Sequence, residues 1–121
     1  MPSSVVNDND NSKFLHHTFT KNILNSHKSI RWVSIIDQND ITVNERYRKG
    51  LKPLLSVEEI HEFAKNTLTR HKTRLKLEPK IGKLTYLFRR YEKLSSCITS
   101  ISEQYYLLLT MDFEENNFDK L

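Results

Sequence analysis

The side chains of this 121-residue chain that could do chemistry are its histidines, its single cysteine, its serines and a dense run of lysine and arginine. His61-Glu62-Phe63-Ala64-Lys65 starts as a zinc-protease helix does, where two histidines four apart share a helical face with a glutamate between them. Lys65 stands where the second histidine belongs, and an ammonium cannot complete a tetrahedral zinc site. His16 and His17 are adjacent, so on a helix they point to different sides. With only Gly50 and Gly82, no glycine-rich loop can cradle phosphates and no dinucleotide fingerprint exists. No serine sits in a nucleophile elbow, and no two carboxylates pair for acid–base work. The expectation is a chain without catalytic residues, metal ligands or cofactor, and not an enzyme. Cys97 stands alone, which rules out an intramolecular disulfide and suits a reducing, cytoplasmic setting. In its apolar run it reads as a small core residue.

One charge feature stands out. Between Lys65 and Lys93 ten basic residues oppose only Glu78 and Glu92, a net +8 in a chain whose total is +4. Such a segment suits an anionic partner: nucleic acid, an acidic lipid surface or an acidic protein patch. The plainer reading is a helix with Glu58, Glu59 and Glu62 at its start and basic residues at its end, complementing its own dipole. That accounts for Arg70 through Lys76 but not for Lys80 through Lys93. Along a strand, Arg89 and Arg90 must point to opposite faces. At ~100° per residue, Arg74 falls within the helix's apolar sector and Arg70 at its margin. An arginine aimed at a sheet requires an acceptor, either a carboxylate such as Glu92 or an anionic ligand. The candidate anion- or partner-binding residues are therefore Arg70, Arg74, Lys83, Arg89, Arg90 and Lys93.

The elements that must position these groups follow from periodicity and turn chemistry. Residues 1–11 are polar, lack the basic start and apolar core of a secretory signal, and read as a disordered tail. Residues 12–112 form one α+β domain, and 113–121 an acidic tail or short helical stub. Ser12 can cap a helix to about Ser26, with Leu15, Phe19 and Ile23 on one face. Ile30–Ile36 is apolar on both faces, as in a central strand. Asp37-Gln38-Asn39-Asp40 is turn chemistry, and Ile41–Glu45 or slightly longer alternates like an edge strand. Ser56 and Glu59 make a capping box, with Leu55 and Ile60 as a hydrophobic staple. Ile60, Phe63, Ala64, Thr67, Leu68, His71 and Leu75 then form one helical stripe. Pro79 and Gly82 separate this helix from strands at Leu84–Tyr91, Leu94–Ile101 and Tyr105–Met111. No run approaches ~18 apolar residues, so no transmembrane helix is expected.

The order α-β-β-α-β-β-β, with hairpin-length links, predicts a five-stranded, mainly antiparallel sheet. Strand order 2-1-5-4-3 places the doubly apolar strands inside. This arrangement resembles the roadblock and profilin-like folds, with longin and PAS-type folds close to it. The segments IRWVSIID, LLSVEEI and GKLTYLFRRYEKL resemble a family of small uncharacterised archaeal proteins from ammonia-oxidising lineages, which brings no known activity. Roadblock likeness implies a homodimer joined through the second helix and an edge strand. It also implies a non-catalytic scaffold, regulatory toward small GTPases or signalling partners. Two alternatives remain at this level. One is a PAS-like small-ligand sensor with a cavity lined by Trp32, Tyr86, Phe88 and Arg74. The other is a nucleic-acid or anionic-surface binder using residues 65–93, its mark being steep salt dependence.

Overall fold

In a computed structural model, the chain is described from Pro2 to Asp112, with side chains from residue 13 onward except those of Thr73 and Arg74. The expected tail or stub at 113–121 lies outside the described residues. The elements are α1 (Pro2–Ser26), β1 (Ile30–Asp37), β2 (Thr42–Tyr47), α2 (Val57–Arg74), α3 (Glu78–Ile81), β3 (Tyr86–Arg90), β4 (Leu94–Ser100) and β5 (Tyr105–Asp112). A single 3-10 turn, Leu75–Leu77, joins α2 to α3.

The sheet runs β2-β1-β5-β4-β3 with every neighbouring pair antiparallel. The order is the one anticipated, because a strand apolar on both faces needs neighbours on both edges. β1 and β5 occupy the middle and carry two separate cores. Below the sheet, Trp32, Ile36, Ile98 and Leu108 pack against Ile60, Ala64 and Leu68 of α2. Above it, Ile30, Val33, Ile35 and Leu107 pack with Leu24 of α1. A register shift between Ile30 and Trp32 lets Ile30 join Val33 and Ile35 on the α1 side, off the strict two-residue alternation.

α2 follows the sequence reading closely. Ser56 Oγ accepts from Glu59 N–H at 3.1 Å, and Glu59 Oε1 accepts from Ser56 N–H at 2.9 Å. Leu55 and Ile60 both reach the lower core. Ser56→Ala leaves one of these donors unsatisfied and is expected to cost about 1 kcal/mol. A thermal melt should show this as a Tm lower by roughly 3–5 °C.

Elsewhere the local pattern is overridden. α1 begins at Pro2 rather than at a Ser12 cap, so the backbone of 2–11, expected as a disordered tail, is helical. Its buried line is Thr20 and Leu24, beside half-buried His16, while Leu15 is 62% exposed. The helix is thus turned by one residue from the Leu15–Phe19–Ile23 stripe. The cause lies in β2, whose upper face is polar: Thr20 Oγ1 donates to Asn44 Oδ1 at 2.7 Å, and the Arg46 guanidinium approaches the His17 ring at 2.9 Å. Leu75 leaves the α2 stripe for the 3-10 turn and is exposed. Pro79 opens α3 instead of a loop, since a proline in a first helical turn loses no hydrogen bond. Gly82 then stops α3 at φ +86°, a conformation that favours glycine.

The 37–41 turn is held by Asp37 Oδ1, which accepts from the backbone N–H groups of Asn39 and Ile41 at 2.8 and 3.0 Å. Lys72 Nζ reaches Asp40 Oδ1 at 2.8 Å and ties the end of α2 to this turn. Among the described residues no helix is long and apolar enough to cross a membrane.

Candidate interaction surface

The cross-strand registers decide where each candidate residue points. Arg89 pairs with Ser96, which pairs with buried Thr110, so Arg89 lies on the α2 side. Arg90 pairs with Ser95 and takes the α1 side. The Arg89 guanidinium donates to Thr67 Oγ1 and stands 5.5 Å from the Phe63 ring centroid, a cation–π distance. It is therefore a brace between β3 and α2, and only half-exposed. Lys83 and Lys93 are exposed in the connections before and after β3, and Arg70 is exposed on α2. Arg74 closes α2, with its side chain outside the described residues. Arg89 and Arg90 thus place their charges on opposite sides of the sheet.

The sensor cavity imagined from the sequence does not form. Trp32 faces α2, whereas Phe88 pairs with Cys97 and Tyr86 with Thr99, both on the α1 side. His61, in the broken zinc motif, spends its ring on β2, with Nε2 3.0 Å from Glu45 Oε2. Tyr47 Oη donates to the same carboxylate at 2.9 Å. Burial first, then the hydrogen bond and charge of Glu45, push the Tyr47 hydroxyl up to about 12. The unfolded chain releases this proton from about pH 10, while the folded one holds it until about 12, so stability falls across that interval. Tyr47→Phe is expected to flatten this alkaline limb, measured by paired melts of the two proteins. Burial also raises the Cys97 thiol above its ordinary value, in keeping with a packing residue rather than a reactive one.

What the fold does assemble is a surface around α2 and β3. Among the described residues β3 is the last strand of the sheet and pairs only with β4, so its outer edge presents a line of backbone donors and acceptors. Beside it, α2 turns Glu58, Glu62, Lys65, Asn66 and Arg70 outward. Acidic residues lead this face and basic residues follow. At its N-terminal end Phe63 and Tyr91 meet edge to face at 6.0 Å. These rings, with Leu54, Leu55 and Leu94, line an apolar groove of about 480 Å³. The sequence reading missed this groove because its walls come from three separate segments.

Comparison with solved structures finds the same fold in other proteins. One similar chain is described as MglB with tetrameric arrangement, at TM-score 0.70 and 12% identity, covering 83% of this chain and 72% of that one. The chain carries the roadblock/LC7 fold. MglC from Myxococcus xanthus superposes at TM-score 0.56 and 16% identity, over 81% of this chain and 80% of that one. A Roadblock/LC7 domain from Streptomyces avermitilis gives 0.61 at 4% identity, over 77% and 74%. No family model matches the sequence, and no curated protein does. At these identities the likeness is one of roadblock architecture alone, carried by element order and core pattern.

Proposed function

We propose that this roadblock-fold protein is a non-catalytic interaction module that acts as a homodimer, built through α2 and the β3 edge. The β3 edge beside an α2 face whose charge changes sign along its length is the observation that carries the reading. Two copies related by a two-fold axis near the midpoint of α2 set the acidic half of each helix against the basic half of the other. The β3 edges then add to one another as one extended sheet. Roadblock-like modules of this build suit a scaffold for small GTPases or signalling partners. A cytoplasmic setting and the archaeal likeness of the quoted segments belong to the same reading.

Light scattering at about 0.05 M and 0.5 M salt, with and without a DNA duplex, tests it. The expected mass is about twice 14.4 kDa at both salts, unchanged by the duplex. A monomer that joins the duplex only at low salt would overturn the dimer and revive the basic segment as a nucleic-acid binder. The inward turn of Arg89 against Thr67 and Phe63 supports the first result, because a guanidinium engaged with its own protein is not available to phosphate.

A further inference from the structure

The connection from α2 to β3 carries apolar side chains that the fold leaves outside. Ile81 is 78% exposed and Leu77 54%, and Leu75 is exposed with them. None of the three belongs to the core on either side of the sheet. Leu77 and Ile81 instead border an open groove of about 420 Å³, together with Leu84. A single exposed aliphatic is ordinary on a protein surface, but several within one short connection form a patch that marks a partner.

Lysines flank this patch. Lys76, Lys80 and Lys83 are exposed, and among the described residues none of them takes part in an ion pair, whereas Lys72 is spent on Asp40 and Arg31 on Asp112. From residue 75 to 85 these three lysines face only Glu78, a net +2. Along the 3-10 turn and α3, Leu77 and Ile81 are four apart and share one side, and Lys76 and Lys80 do the same one residue earlier. An apolar row and a basic row therefore run next to each other, ~100° apart around the helix. Lys83 follows directly after the Gly82 turn.

We propose that this connection docks on an acidic lipid surface, with Leu77 and Ile81 entering the boundary of the acyl chains and Lys76, Lys80 and Lys83 at the anionic headgroups. Lysine suits that place because its stem is apolar while its ammonium stays in water among the phosphates. A nucleic acid offers phosphates but no medium for exposed aliphatic side chains, and protein interfaces are depleted of lysine. Binding to a lipid surface grows with the apolar area inserted and with the surface's negative charge, so the two contributions can be tested apart. The residues concerned lie outside α2 and β3, and the docking does not rest on the proposed dimer.

Co-sedimentation tests this, using vesicles of phosphatidylglycerol and phosphatidylcholine in equal parts and vesicles of phosphatidylcholine alone. At about 0.05 M salt the protein is expected to bind the mixed vesicles at least tenfold more tightly than the neutral ones, and about 0.5 M salt should remove most of that difference. Changing Lys76, Lys80 and Lys83 together to Gln should weaken binding to the mixed vesicles about 100-fold, at roughly fivefold per lysine. Ile81→Ser keeps the charge and should weaken it roughly tenfold. All four side chains are exposed, so Tm should not move, and light scattering without vesicles reads the dimer separately. Equal binding to neutral and mixed vesicles, an unaffected triple variant or an unaffected Ile81→Ser would each overturn the proposal. So would a protein that ignores vesicles but binds a DNA duplex through the same three lysines.

Discussion

If the proposed dimer forms, Glu62→Lys is expected to convert it into a monomer at concentrations where the unaltered protein stays paired. Glu62, Asn66 and Arg70 recur every four residues on the exposed face of α2, so they share one line along the helix. A two-fold axis near Asn66, close to the midpoint of Val57–Arg74, brings Glu62 of each copy opposite Arg70 of the other. The substitution replaces two attractive pairs with two like-charge contacts. Juxtaposed like charges at an interface cost several kcal/mol, so the dissociation constant should rise at least tenfold. Arg70→Glu should weaken association in the same way, and Glu62→Lys with Arg70→Glu should restore it. Sedimentation or light scattering of the three variants decides the matter. Failure of the double variant to recover, with circular dichroism unchanged, would place the interface elsewhere.

Leu108→Ala is expected to cost about 2–5 kcal/mol. Leu108 is fully buried on the α2 side of the central strand β5, in one cluster with Trp32, Ile36, Ile98 and Leu68. Strands and helix enclose the site, so little backbone relaxation can close the hole that truncation leaves. Against a total stability of ~5–15 kcal/mol, this change takes a large share, and Tm should fall by roughly 8–20 °C. Leu109, one residue on, faces the α1 side and is only half-buried. Leu109→Ala should therefore cost clearly less. Equal losses from the two substitutions would contradict the division into an upper and a lower core.

The elements most legible in the sequence were those whose local signals agree with their tertiary surroundings. Ser56 and Glu59 cap α2 through atoms three residues apart, so the motif carries its own geometry. The run Ile30–Ile36 is apolar at both parities, which marks a strand covered on two sides wherever it sits. α1 was misread by one residue because its buried face is chosen by Asn44 and Arg46 of β2, and nothing within the helix records that choice. α3 was read as a loop because Pro79 and Gly82 look like breakers, although proline at a first turn and glycine after a last one also delimit a short helix.

The candidate basic residues show the same division. Arg89 and Arg90 were rightly assigned to opposite faces, since strand alternation requires it. That Arg89 would brace Thr67 and Phe63 could not be foreseen, because the contact joins strand to helix across a crossover. Neither could the roles of Arg31 and Arg48, which bond to Asp112 and to the carbonyls at the end of α1. By itself the sequence determined the order of the two longer helices and the five strands, the interior place of β1 and β5, and the α2 cap and 37–41 turn, the last two set by interactions within a few residues. Only the tertiary structure decided which side of each helix is buried, which arginines are spent internally and where cavities open. Those outcomes depend on segments far apart in the chain, and the energies that settle them arise only when such segments pack.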